Sequence, residues 1–143
     1  MTDKTILFVE DNPDDQLLTL RALAKNHIGN EVIVVQDGVE ALDYLFCTGA
    51  YAGRNPDNLP ELVLLDLRLP KVDGIEVLRR IRANKRTRSL PVVIFTSSTA
   101  DRDLVNGYAY GANAYIHKPV DMKDFVEAIR ELGLSLVVLN RGP

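Results

Sequence analysis

Four short apolar runs in this 143-residue chain end in side chains able to do chemistry. Ile6 to Val9 runs into Glu10 and Asp11, and Leu62 to Leu65 runs into Asp66. Val92 to Phe95 runs into Thr96, Ser97 and Ser98. Ala114 to Ile116 leads through His117 to Lys118 and Pro119. Three carboxylates, a hydroxyl and an ammonium in one crevice would suit transfer of a phosphoryl group. A carboxylate can attack phosphorus and form an acyl phosphate. Such transfer needs charge neutralisation and in-line placement more than it needs acids and bases. Three neighbouring carboxylates repel one another, so something cationic must offset them. Lys118 would supply one charge and a divalent metal two. Carboxylate oxygens suit a hard ion, and Mg2+ typically takes one or two carboxylates plus waters and phosphate oxygens. With a single cysteine, Cys47, and two histidines, no cluster competes for a softer metal.

For these residues to meet, the runs must be strands of one sheet. A fifth run, Val32 to Val35, leads to Gln36 and Asp37. Most of the runs are rich in Val, Ile, Leu and Phe without polar alternation, as in strands of a parallel sheet covered on both faces. Segments of helical spacing lie between them. Leu17, Leu20 and Ala24 share a face, as do Leu42, Leu45 and Phe46. Leu78 with Ile81, Leu104 with Tyr108, and Phe125 with Ile129 and Leu132 continue the pattern. Asp37, Ser98 or Thr99, and Asp121 mark helix starts. Five β-α repeats imply an α/β fold, doubly wound, with right-handed crossovers and helices on both faces. Ligands of such sheets bind outside the carboxyl ends of the strands, where these polar residues fall. The order 2-1-3-4-5 is common for five strands, and it is adopted here by analogy with other flavodoxin-like sheets.

Each residue also has a plain structural reading. Asp66 could cap a turn, and Thr96 and Ser97 could be turn residues. Glu10 and Asp11, with Asp14 and Asp15, could form a solvated acidic start to the first helix. Lys118 could be a surface lysine, and Tyr115 a static core residue. Cys47 and His27 read as structural, and His117 as non-catalytic.

The joint pattern resembles a two-component response-regulator receiver domain. It comprises Val9-Glu10-Asp11, Leu64 to Pro70 with Asp73-Gly74, Phe95 to Ser98, and Gly111 to Pro119. The long connection from Thr48 to Pro60, the Leu-Pro-Lys-Val-Asp-Gly segment and the tail near Asn140 resemble, more narrowly, stand-alone regulators that partner bacterial phytochrome kinases. The resemblance implies Asp66 as phosphoacceptor. It implies Mg2+ held by Asp11 directly, by Glu10 through water, by Asp66, and by the backbone carbonyl of Arg68. Thr96 and Lys118 would bind the phosphoryl group, and Thr96 and Tyr115 would form the switch. Arg68 and Ser98 would tune the lifetime of the phosphate, and the bond before Pro119 would be cis. The expected donor is a sensor histidine kinase, with a bacterial phytochrome as the narrower expectation. The fourth helix, fifth strand and fifth helix would present the switched surface. The role is that of a signalling phosphoacceptor rather than an enzyme.

Three rival classes fit less well. An aspartate-nucleophile phosphohydrolase needs a second acid two residues after the nucleophile, where this chain has Arg68. A flavin-binding module needs a phosphate-cradling loop where this chain has Glu10-Asp11-Asn12-Pro13. A vestigial interaction protein would not need Asp66, Thr96 and Lys118 together. For the narrower role, the alternative is a phosphorelay shuttle unlinked to a phytochrome.

Length and composition bound the rest. The size favours one domain, and the mild net charge of -3 argues against a nucleic-acid partner. The longest apolar run falls well short of the ~18 residues of a membrane span. One cysteine forms no internal disulfide, which fits a reducing cytoplasm. The expected organisation is a receiver domain over residues 1–133 and an apolar extension over 134–143. Leu136, Val137, Val138 and Leu139 in that extension are expected in a homodimer interface.

Overall fold

The computed structural model describes residues 5–25, 31–96 and 114–117, with Lys123, Phe125 and Glu127; for Thr96, Ala114 and His117 it describes the backbone alone. Strands and helices alternate: β1 Thr5–Val9, α1 Pro13–Lys25, β2 Glu31–Val35, α2 Gly38–Phe46, β3 Leu62–Asp66, α3 Gly74–Ala83, β4 Val92–Thr96 and β5 Ala114–His117. The strands form one parallel sheet of order β2-β1-β3-β4-β5, as expected. The expected helix starts at Ser98 or Thr99 and at Asp121 lie outside the described residues, as do Leu104, Tyr108, Ile129 and Leu132.

The continuous apolar runs have a simple origin. Every residue of β1 and β3 is buried, because both faces of the sheet are covered. On one face Leu7, Val9, Val63, Leu65, Val92 and Ile94 pack with Ala41 and Leu45 of α2 and Val77, Leu78 and Ile81 of α3. On the other, Ile6, Phe8, Leu62, Leu64, Val93 and Phe95 pack with Leu23 of α1 and with the helical Phe125. Each Val, Leu, Ile or Phe among them contributes about 1.5–3 kcal/mol when fully buried. Phe8 and Phe95 meet edge to face with centroids 6.1 Å apart.

The α1 face differs from the spacing read in the sequence. Leu17 is exposed at 48 % and Ala24 is exposed, while Thr19 and Leu23 are buried and Leu20 is half-buried. The inward stripe is thus turned by about one position from the one expected. A polar residue, Thr19, occupies an inward position, and apolar periodicity alone passed over it.

Helix starts follow local chemistry. Asn12 Oδ1 accepts from the Asp14 and Asp15 amides at 2.8 and 3.2 Å, ahead of Pro13 as the first residue of α1. Asp37 caps α2 through the Glu40 amide at 2.8 Å, as expected. Asp73 caps α3 through the Glu76 amide at 3.0 Å. Hydrogen bonds from Arg79 and Arg80 hold the Glu76 carboxyl at a pKa of about 2.

The long connection before β3 is fastened by arginines. It contains one 3-10 turn, Gly49–Tyr51. The Arg54 guanidinium lies 3.6 Å over the Tyr44 ring, donates to the Tyr44 carbonyl, and reaches the Asn58 carbonyl at 2.6 Å. Arg86 donates to the Leu45 carbonyl at 2.6 Å and to the Pro56 carbonyl. Both arginines thereby satisfy carbonyls left open at the end of α2, where a positive charge also opposes the helix dipole. We expect Arg54→Ala to lower the unfolding free energy by about 2 kcal/mol in a urea titration. Arg54→Lys should recover little, because an ammonium cannot span two carbonyls while lying flat on a ring. A wild-type midpoint for Arg54→Ala would refute this account of the loop.

Candidate acidic phosphoryl site

Parallel register brings the acids together. Val9 pairs with Leu65, so Glu10 and Asp66 leave adjacent strands at the same level. Glu10, Asp11 and Asp66 each offer a carboxylate oxygen, and these oxygens lie within 4.8 Å of one another. Glu10 is 1 % exposed and Asp66 5 %, whereas Asp11 is exposed at the mouth. Two buried acids and one open one give a pocket with an inner wall and an entrance.

Backbone amides and a glutamine position the group. The Arg68 amide donates to Asp66 Oδ1 at 3.1 Å, and the Asn12 amide to Glu10 Oε2 at 3.3 Å. The Glu10 amide donates to the Val35 carbonyl at 3.0 Å, and Gln16 Nε2 to the Glu10 carbonyl at 2.5 Å. Glu10 is therefore tied to β2 and to α1 together. Among the described residues, no buried side-chain nitrogen or oxygen lacks a partner.

Two glycines allow the loops around the acids to pack. A Cβ on Gly74 would sit 2.4 Å from the Asp66 carbonyl oxygen and 2.6 Å from Leu67 Cα. The Gly74 amide donates to the Leu67 carbonyl at 2.9 Å, so α3 starts directly against the end of β3. A Cβ on Gly38 would sit 1.8 Å from the Val72 carbonyl oxygen. A cavity of about 460 Å³ opens beside the cluster, with Asp11, Arg68, Pro70, Asp73 and Ile75 among its lining residues.

The other expected site residues are placed less completely. Thr96 ends β4 one residue beyond Phe95, the partner of Asp66, so its backbone lies at the same sheet edge. It pairs with His117, the last residue of β5. Tyr115 is half-buried and packs against the core shared by α2 and α3. The Thr96 side chain, Ser98, Lys118, Pro119, Leu136, Val137, Val138 and Leu139 lie outside what is described. Sequence reasoning passed over Asn12, Gln16 and the roles of Gly38 and Gly74. The repeated Asp-Gly pair, 37–38 and 73–74, was the available signal for both glycines.

The cluster has the composition that a hard cation requires, three carboxylate oxygens from two adjacent strand ends with no softer ligand among them. Among the described residues, no helix is long and apolar enough to cross a membrane.

Comparison with known proteins agrees with this geometry. Residues 6–130 match the response regulator receiver domain. The bacteriophytochrome response regulator RtBRR superposes with a TM-score of 0.89 at 50 % identity, covering 100 % of this chain and 85 % of that one. The response regulator Rcp1 of Synechocystis is 37 % identical over 139 residues, 95 % of this chain and 92 % of that protein. Its Mn(2+)-bound form superposes with a TM-score of 0.75 at 36 % identity, over 96 % of this chain and 99 % of that one. The probable methanogenesis regulatory protein FilR2 of Methanothrix harundinacea is 41 % identical over 138 residues, 96 % of this chain and 86 % of that protein. With the sheet order, the acidic strand ends and a match over most of its length in agreement, the chain belongs to the response-regulator receiver family of two-component signalling.

Proposed function

We propose that Asp66 accepts a phosphoryl group from a sensor histidine kinase, with Mg2+ bound by Glu10, Asp11, Asp66 and the Arg68 carbonyl. The observation that carries the reading is the convergence of three carboxylate oxygens within 4.8 Å, two of the acids being buried. An Asp66 oxygen forms a bond to phosphorus as the bond from phosphorus to the kinase imidazole nitrogen breaks. That nitrogen keeps the electron pair, and the ring leaves neutral when its other nitrogen carries the proton. When bound, Mg2+ supplies positive charge against the crowded carboxylate and phosphoryl oxygens. The Arg68 amide already holds one Asp66 oxygen at 3.1 Å, which fixes the carboxylate's orientation.

On this reading Lys118 pairs with the phosphoryl oxygens, Thr96 hydrogen-bonds one of them, and Tyr115 moves inward as Thr96 shifts. The peptide bond before Pro119 is cis, and Arg68 and Ser98 set how readily hydrolytic water enters. The surface of the fourth helix, fifth strand and fifth helix then changes its population, as a phosphorylation switch does. The protein works in the cytoplasm, as a phosphoacceptor that assists its own labelling rather than as an enzyme acting on others. Similarity to RtBRR, a bacteriophytochrome response regulator, supports a phytochrome as the kinase partner. Residues 1–133 form the receiver unit, and Leu136 to Leu139 in the extension 134–143 join two copies. Truncation after Gly133 should leave a monomer in light scattering, and an unchanged dimer mass would remove the extension from the interface.

The central test is labelling with acetyl phosphate, followed by intact mass. The protein should gain one phosphoryl group when Mg2+ is present and none with chelator. Hydroxylamine should remove the group, as it does from acyl phosphates. Uptake without a divalent cation, or a hydroxylamine-stable product, would overturn the proposal.

A further inference from the structure

The loop that follows Asp66 is fastened at its middle to the start of α2. The Gly38 amide donates to the Pro70 carbonyl at 3.4 Å. The Lys71 ammonium lies 3.4 Å from Asp37 Oδ2, while Asp37 Oδ1 caps α2. A Cβ on Gly38 would come within 1.8 Å of the Val72 carbonyl oxygen and 2.7 Å of Val72 Cβ. Backbone therefore meets backbone here with no room for a side chain between.

Lys71 has φ of 68°, in the left-handed region. A non-glycine residue held there costs about 1–2 kcal/mol, so its surroundings must over-determine it. The Asp37 ion pair and the Gly38 contact on either side of Lys71 do this. The same loop carries Arg68, whose amide holds Asp66, and Arg68, Leu69 and Pro70 line the cavity beside Asp11. A backbone carbonyl cannot be tuned through its own side chain. Its placement depends on what holds the loop.

We propose that Asp37 and Gly38 are positioning residues for the cation. By holding Pro70, Lys71 and Val72, they fix the loop that presents the Arg68 carbonyl. The inference rests on reading the acidic cluster as a cation site. It adds that cation affinity is set in part at the start of a helix none of whose side chains belongs to that cluster.

The test is calorimetric titration of Mn2+ into the unphosphorylated full chain, beside thermal unfolding. Loss of partners that hold metal ligands typically costs 10–100-fold in affinity, so Gly38→Ala should weaken Mn2+ binding by about ten-fold. Asp37→Asn keeps a capping oxygen but loses the charge pair, and should weaken binding by about three-fold. Gly49→Ala is the control. Its Cβ would meet Asp43 Oδ2 at 2.4 Å, with φ of +54°, beyond the far end of α2. It should lower the melting temperature and leave Mn2+ affinity unchanged. Wild-type affinity in both Gly38→Ala and Asp37→Asn overturns the inference, as does an equal loss in Gly49→Ala. If Gly38→Ala does not fold, Asp37→Asn decides alone, and wild-type affinity there overturns it. Asp11→Asn separates the two levels: if it binds Mn2+ like the wild type, the cation site itself is refuted. If it loses Mn2+ while Gly38→Ala and Asp37→Asn do not, only the positioning inference fails.

Discussion

Asp66→Asn is expected to lose phosphoryl uptake from acetyl phosphate or a cognate kinase by a thousandfold or more, on the order seen when a nucleophile is removed. An amide is nearly the same size as a carboxylate but a far poorer nucleophile. The substitution therefore removes the reacting oxygen without opening space. The contact that orients Asp66 survives, since an amide oxygen can still accept from the Arg68 amide, now at 3.1 Å. Stability should not fall. Asp66 is 5 % exposed and faces two other carboxylates, so removing its charge relieves repulsion in a buried place. The expected result is a variant that unfolds at an equal or higher urea concentration and gains no phosphoryl mass. A destabilised variant would mean that the Asp66 charge is structural. Wild-type labelling would mean that the acceptor lies elsewhere.

Gly74→Ala should be strongly damaging for the addition of a single methyl group. The added carbon would lie 2.4 Å from the Asp66 carbonyl oxygen, 2.6 Å from Leu67 Cα and 3.1 Å from the Asp66 carbonyl carbon. All three are backbone atoms, so no rotamer change makes room. Either α3 moves off the sheet or the end of β3 bends. Overpacking of this kind costs about 3 kcal/mol, and the better helix propensity of alanine returns no more than about 1 kcal/mol. For a chain of this length the net loss corresponds to a melting temperature lower by roughly 5–8 °C. Phosphoryl uptake should fall as well, because the displaced backbone is that of Asp66 itself. Wild-type stability in Gly74→Ala would contradict the close approach of α3 to β3.

The sequence made some of this legible and hid the rest for physical reasons. The apolar runs of β1 and β3 are readable because strands covered on both faces have no alternation to obscure them. Glu10, Asp11 and Asp66 are readable because they interrupt those runs abruptly at one end. The order of strands rested on analogy with related sheets, since apolar content does not say which strand lies beside which. The inward face of α1 was misread because Thr19 is buried while Leu17 and Leu18 are exposed. Gly38 and Gly74 matter through what would collide with a Cβ, and that depends on a distant segment of chain. The same holds for Arg54 and Arg86. Nothing local announces that an arginine will cap the carbonyls of a helix many residues away.

The strand that carries Asp66 is flanked by β1 on one side and β4 on the other, with every residue buried. Amide protons in such a strand exchange with solvent only when the whole domain opens. β2 lies at one edge of the sheet, with a burial pattern running from exposed Glu31 to buried Val35, and its amides should exchange before those of β3. A phosphoryl group on Asp66 would thus ride on one of the slowest-exchanging strands described. Local breathing would not meter its lifetime. The clock of the signal would be chemical, set by water reaching the crevice, and the fold beneath it would keep no time of its own.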